Sequence, residues 1–169
     1  SAIRVKTHLG TSTQAADADG VSDLTEWTTN HRLRGRAYNY IRYRFDADTF
    51  PNGLPNMSVE IQGKKVFDPR TSTTAFSNNP ALCIRDFLTD TSFGLKITSA
   101  EINDSATHHG GFAYAAARCE DTINSNNRYE CNGIFDLSQS PKQILDQLLT
   151  SCSGKLIYQN GKFNLYVGF

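Results

Sequence analysis

The sequence has few of the features that mark specialised classes of chain. Its 169 residues include 4 cysteines, 1 methionine and 1 tryptophan, and 17 basic side chains balance 17 acidic ones. No apolar run approaches the roughly 18–20 residues of a membrane-spanning helix, and the zero net charge argues against a general polyanion binder. With 38% hydrophobic residues the chain is too apolar for a disordered protein. These absences leave a mixed globular chain of one large or two small domains.

The four cysteines are widely spaced: Cys83, Cys119, Cys131 and Cys152. Structural zinc sites use closely spaced ligand pairs, and no C-x-x-C occurs, so no metal site is predicted. Buried free thiols are predicted instead, because three of the four fall on apolar faces of predicted helices. A Cys119–Cys131 bridge between a helix and the next strand is the alternative. No leader is visible at Ser1-Ala2-Ile3, so a reducing cytoplasm is expected.

Hydrophobic patterns predict an α+β fold, β-rich and antiparallel, with about three packed helices. Strands are predicted at 2–8, 36–47, 57–62, 64–67 and 128–137, and a hairpin at 155–167 around Asn160-Gly161. Helices are predicted to begin at Pro80, capped by Asn79, and at Pro141, capped by Ser140, with others over 98–104 and 112–123. Residues 10–30 are predicted to be loop with a helical turn near 24–27, and residues 68–78 to be irregular. The expected parts are 1–70, rich in strands, and 71–169, with helices and strands.

The most unusual local feature is an alternation of arginine and tyrosine. Seven residues would share one face of a continuous strand: Arg32, Arg34, Arg36, Tyr38, Tyr40, Arg42 and Arg44. Such a face suits single-stranded nucleic acid, because arginine binds phosphates and aromatic rings stack on bases. It equally suits a protein interface, where both residue types are enriched, or pairing with carboxylates of neighbouring strands. Gly35 is a point where the strand could break.

No motif for catalysis or cofactor binding is present. Walker, G-x-G-x-x-G and G-x-S-x-G patterns are all missing. The adjacent His108 and His109 suit a polar helix cap better than a metal site, and Asp86 and Asp90 lie on one helical face as paired carboxylates or as a solvated stripe. Asp68-Pro69-Arg70-Thr71 predicts an ordered turn in which the arginine pairs with a carboxylate. No catalytic residue, cofactor or metal is predicted, and an enzyme is not expected.

Four segments carry a resemblance to a known family. They are HRLRGRAY at 31–38, FPNGLP at 50–55, GKKVFDPRT at 63–71 and SNNPAL at 77–82. Together they resemble the central hub, or tip attachment, proteins of long-tailed phages such as lambda, and the related hub of gene-transfer agents. The C-terminal part is similar as well, from the segment at 128–133 through the helix at 141 to GKLIY and GKF. The resemblance implies tube-like β domains with inserted helices, which form a trimeric ring that closes the tail tube.

The resemblance implies a virion structural protein of the tail tip, assembled in the cytoplasm of the bacterial host. The implied partners are the chain itself, as a homotrimer in the full-length protein, and other tail proteins, with no membrane and no specific nucleic acid. The chain begins without Met and ends inside a strand pattern, so an interior piece of a longer protein is expected. Further C-terminal parts would contact the host receptor, and the piece alone need not form the trimer.

The expected contact surfaces are the Arg32–Arg44 face and the loop at 68–80, with Asp68, Arg70 and Phe76. Two other classes of function remain open. One is a nucleic-acid or glycan binding module that uses the Arg/Tyr face. The other is a wall hydrolase, which would need two facing carboxylates about 5–9 Å apart.

Overall fold

The structure is a computed structural model that describes residues 2–136 and 138–168. Over these residues the fold is α+β, as predicted, with four helices and eight short strands in two-stranded antiparallel sheets. Contacts divide the chain into two compact units, unit 1 (residues 1–60) and unit 2 (residues 61–169). The division precedes a hairpin over residues 65–76, whereas the boundary expected at 70/71 falls inside that hairpin.

Unit 1 contains two paired strands and one short helix: β1 (Ile3–His8), α1 (Ala18–Asp23) and β2 (Tyr38–Tyr43). β1 was predicted correctly, but the strand predicted over 36–47 is six residues long. A turn closes over 24–27 as predicted, where the Trp27 N–H donates to the Leu24 carbonyl at 3.0 Å, but the helix of this segment lies earlier and was not predicted. Asp17 caps it, accepting a hydrogen bond from the Gly20 N–H at 2.8 Å.

Unit 2 contains three hairpins. Their strands are β3 (Lys65–Asp68) with β4 (Thr73–Phe76), β5 (Thr122–Ile123) with β6 (Asn126–Asn127), and β7 (Lys155–Gln159) with β8 (Lys162–Tyr166). Asn160 and Gly161 both have positive φ, 54° and 73°, which confirms the predicted hairpin turn. The stretch predicted to be irregular at 68–78 contains β4, because Ser72 adopts φ 56° and turns the chain back onto β3.

Two predicted strands do not form. Residues 57–62 alternate in hydrophobicity but no strand pairs with them. In 128–136 the backbone donors are used elsewhere: the N–H groups of Arg128, Tyr129 and Cys131 bond the carbonyls of Asp121, Cys119 and Asn78. Leu137, the last residue of that prediction, lies outside the described residues.

Three helices and a 3-10 turn complete unit 2: α2 (Pro80–Thr89), the turn at Ser99–Glu101, α3 (Phe112–Cys119) and α4 (Pro141–Thr150). Both predicted caps are confirmed, since the Asn79 side chain accepts from the Ala81 N–H and Ser140 forms a capping box with Gln143. α3 ends at Cys119 rather than near 123, because the residues that follow enter the β5–β6 hairpin.

The apolar core of the described chain lies in unit 2. α2 contributes Leu82, Ile84 and Leu88, which are at most 2% exposed, and α3 packs Phe112 against them at 0%. Leu165 of β8 is buried in the same core at 0% exposure, and partly buried apolar residues of α4 and of the β7–β8 hairpin line its edge. In unit 1 the described large apolar residues include just one buried side chain, Phe50 at 8% exposure. No helix within 2–136 and 138–168 has the length and hydropathy to span a membrane.

Candidate interaction site

The first three residues of the arginine–tyrosine series lie in a loop and not on a strand. Leu33 and Gly35 have positive φ, 44° and 76°, which turns the chain before β2 begins. The buried Gln14 amide donates to the carbonyls of Arg32 and Leu33 at 2.9 and 3.0 Å. Arg34 donates from Nε to the Gln14 carbonyl at 3.3 Å. The arginine side chains at 32, 34 and 36 are exposed but do not form the continuous face that was predicted.

The second half of the series does share one face of β2. Tyr38, Tyr40 and Arg42 alternate there, opposite His8, Lys6 and Arg4 of β1. Arg44 follows the end of the strand and is exposed. Three of the seven predicted residues are therefore brought together.

Carboxylates of α1 and its cap lie against this face. The Tyr40 hydroxyl donates to Asp23 at 2.8 Å, and Arg42 forms an ion pair with the same carboxylate at 3.0 Å. Asp19 lies 2.9 Å from both Arg4 and Lys6. The pairing with carboxylates therefore comes from a helix, not from neighbouring strands, and much of the positive charge is neutralised within unit 1.

The pKa shifts of the carboxyl groups at this face agree with their hydrogen bonds and ion pairs. Hydrogen bonds from Lys6 and Arg4 lower the pKa of the Asp19 carboxyl below its ordinary value. Burial would raise the pKa of Asp17, but the Gly20 N–H and the His8 ring outweigh it, so that pKa is also lowered. The His8 Nε2 is 2.7 Å from Asp17, and its ring stacks on Tyr38 with centroids 4.5 Å apart. We define these paired residues of β1, β2 and α1 as the ionic face.

The opposite side of the same two strands is apolar. Ile3, Val5, Ile41 and Tyr43 alternate with the ionic residues, and Val5 faces Ile41 across the pair. Val5 is 48% exposed, and Phe50 packs edge-on to Tyr43 with centroids 6.1 Å apart. We call these four residues the apolar face. The apolar face was not predicted from the sequence, although the alternation of apolar and polar residues in β1 contained the signal.

The loop at 68–80 is organised by one arginine. Arg70 donates to both oxygens of Glu120, at 2.6 and 2.9 Å, and also to Asp68, at 2.7 Å. The Asn79 amide donates to Glu120 as well, at 2.8 Å. This network agrees with the predicted turn and links the β3–β4 hairpin to the end of α3. Phe76, at the end of β4, is 40% exposed.

The remaining polar residues examined in the sequence have structural partners. Asp86 and Asp90 both bind the Lys64 ammonium, at 2.6 and 2.5 Å. The His108 ring accepts from the Gly110 N–H at 3.0 Å in the turn that leads to α3. Among the described residues no group of three or more His, Cys, Asp or Glu is arranged to hold a metal ion.

No protein-family model matches the chain, and no curated protein matches it. The resemblance to phage tail hubs therefore stays a prediction from the sequence.

Proposed function

We propose that the chain is a structural component of a phage tail tip, which forms the central hub by self-association and docks to other tail proteins. The observation that carries this proposal is the sparse core of unit 1 together with its apolar face. A two-stranded sheet is marginal by itself in water, and stability comes from further strands or from packing on another element. Unit 1 supplies one short helix, and that helix lies on the ionic face.

The edges of the strand pair support the same proposal. β1 and β2 pair with each other and with no other described strand, so each has one unpaired edge. Open edges are templates for pairing with another chain. If β1 of one copy pairs with β2 of the next, the contact is head-to-tail, and head-to-tail contacts close into rings when the rotation allows. The apolar faces of successive copies would then form one continuous surface.

In this proposal the arginines do not form one contact surface, as the sequence predicted, but have two different roles. Arg42 and Tyr40 are held by Asp23, so they stabilise unit 1 and present little free charge to a partner. Arg36 and Arg44 have no ion pair among the described residues and flank the two ends of β2. They are the better candidates for contacts with a neighbouring copy.

Sedimentation equilibrium of the whole chain over a wide concentration range tests the proposal. We expect reversible association, which Val5→Glu weakens about tenfold or more because it places a charge on the apolar face. Ile134→Glu is the matched control, since Ile134 is 96% exposed in unit 2 and outside the sheet. Equal responses to both substitutions contradict the proposal, and a chain that stays monomeric at every concentration rules out self-association through the apolar face and strand edges of unit 1.

The nucleic-acid alternative is tested with labelled single-stranded DNA in a salt titration. Because the ionic face is largely neutralised, we expect weak binding at low salt and none at physiological salt. Tight binding with a steep salt dependence would instead support the alternative, and its loss in Arg36→Ala would assign the binding to the loop at 32–36.

A further inference from the structure

The four cysteines are free thiols of unit 2 that interact as two pairs. The Cys83 thiol interacts with that of Cys131, and the Cys119 thiol with that of Cys152. Each pair joins parts of unit 2 that are distant in sequence. The bridge suggested by the sequence, Cys119–Cys131, corresponds to neither pair.

Backbone contacts bring the first pair together at the start of α2. The Cys131 N–H donates to the Asn78 carbonyl at 2.8 Å, and the Cys83 N–H donates to the Asn79 carbonyl at 3.1 Å. The Cys83 thiol is directed back to the Ser77 carbonyl, at 3.7 Å. Both cysteines are half-buried. The two sulfur atoms therefore lie at the same helix end, within reach of small reagents in water.

The second pair lies inside the core of unit 2, where Cys119 and Cys152 belong to one cluster of buried residues. Cys119 is the last residue of α3 and Cys152 follows α4, and both are 0% exposed. The Cys152 thiol donates to the Leu149 carbonyl at 3.6 Å. The packing around it is tight, because a Cβ on Gly154 would come within 2.8 Å of the Cys152 sulfur. A reagent cannot reach this pair while unit 2 is folded.

We propose that the oxidised protein contains two disulfide bonds, Cys83–Cys131 and Cys119–Cys152, which form by different routes. The half-buried pair oxidises in the folded chain. The buried pair oxidises only when the chain is unfolded or is still folding. The oxidant is a small-molecule disulfide such as oxidised glutathione. This inference is independent of the proposed function.

The reaction is a thiol–disulfide exchange in two steps. The Cys131 thiolate attacks one sulfur of oxidised glutathione, forms a mixed disulfide and releases one glutathione thiolate. Cys83 then loses its proton to the buffer, and its thiolate attacks the Cys131 sulfur and releases the second glutathione. Two protein thiols are oxidised while one glutathione disulfide is reduced to two thiols. Hydrogen bonding with Cys83 lowers the pKa of the Cys131 thiol, which favours Cys131 as the attacking group.

Oxidation of the whole reduced chain with glutathione disulfide, followed by thiol counting and peptide mapping, tests the proposal. In the folded chain we expect loss of two of the four thiols and a Cys83–Cys131 cross-link. Refolding from denaturant in the same reagent should add Cys119–Cys152. Mapping is essential, because Cys131 is near enough to affect the pKa values of Cys119 and Cys152.

Two variants separate the pairs. Cys131→Ser should leave a glutathione adduct on Cys83 and no cross-link in the folded chain, whereas Cys152→Ser should still form Cys83–Cys131. The mapping of the unaltered chain decides the matter if a variant does not fold. A Cys119–Cys131 or Cys83–Cys152 cross-link, four thiols that persist through refolding, or equal oxidation rates of both pairs in the folded chain would overturn the proposal.

Discussion

The ion pair between Arg85 and Asp104 provides a sharp test of what stabilises unit 2. Arg85 on α2 is buried, with its side chain 7% exposed, whereas that of Asp104 is 30% exposed. The pair is bidentate: Nε donates to Oδ1 at 2.8 Å and Nη2 to Oδ2 at 2.6 Å. The guanidinium carbon also lies 4.9 Å from the centre of the Phe67 ring. The arginine therefore depends on one carboxylate for its charge balance, while the carboxylate can still reach water.

This asymmetry predicts unequal costs for the two single substitutions. Asp104→Ala leaves a buried guanidinium without its counter-charge and should reduce the free energy of unfolding by about 3–5 kcal/mol. Arg85→Met keeps an unbranched apolar stem, and Asp104 can hydrate, so the expected cost is about 1–2 kcal/mol. The double variant removes both charges and should be more stable than Asp104→Ala alone.

Urea denaturation monitored by far-ultraviolet circular dichroism measures these free energies, because α2, α3 and α4 all lie in unit 2. Fluorescence of Trp27 reports on unit 1 and should change little. Asp121→Ala is the control: it breaks a half-exposed ion pair with Arg118 and should cost less than about 1 kcal/mol. Costs of Asp104→Ala and Arg85→Met that simply add in the double variant would refute the reasoning.

Two further predictions concern unit 2. Arg70 lowers the pKa of the Glu120 carboxyl that it binds, so this contribution to stability is present above about pH 4.3, the ordinary pKa of Glu, and is lost as the pH falls below it. The free energy of unfolding should therefore decline toward pH 3. In a series of urea denaturations at different pH, Arg70→Met should flatten that decline. Gly111→Ala should destabilise unit 2 strongly, because the new Cβ would overlap the Ser105 carbonyl oxygen, whereas a Cβ at Gly133 meets nothing within 4 Å. Equal melting temperatures for Gly111→Ala and Gly133→Ala would contradict this.

Local signals in the sequence predicted local structure well. Pro80 after Asn79, the Ser140–Gln143 capping box and the Asn160-Gly161 turn each act within a few residues, and each forms as predicted. A cap or turn is determined by the backbone groups next to it, so its prediction needs no knowledge of the rest of the fold.

Predictions that depended on distant partners were less reliable. Alternation at 57–62 resembles a strand, but a strand forms only where another chain segment pairs with it. The Arg/Tyr series was interrupted by Gln14, whose side chain holds the loop at 32–33 from elsewhere in unit 1. The carboxylates of Asp19 and Asp23 lie on a helix that was not predicted, and only Asp17 as a candidate N-cap could have indicated it.

The ion pairs of Lys64 with Asp86 and Asp90 have a mechanical consequence. Residues 51–64 contain no helix or strand, and residues 51–65 are exposed, so tension along the chain from the N-terminal side enters unit 2 at this point. The first residue pair of the β3–β4 hairpin, Lys65 and Phe76, comes directly after Lys64. Tension would act on the ion pairs of Lys64 with Asp86 of α2 and with Asp90, its C-cap, before it could separate the strands of the hairpin. Because salt screens ion pairs, the force needed to open this end of unit 2 should fall as the ionic strength rises.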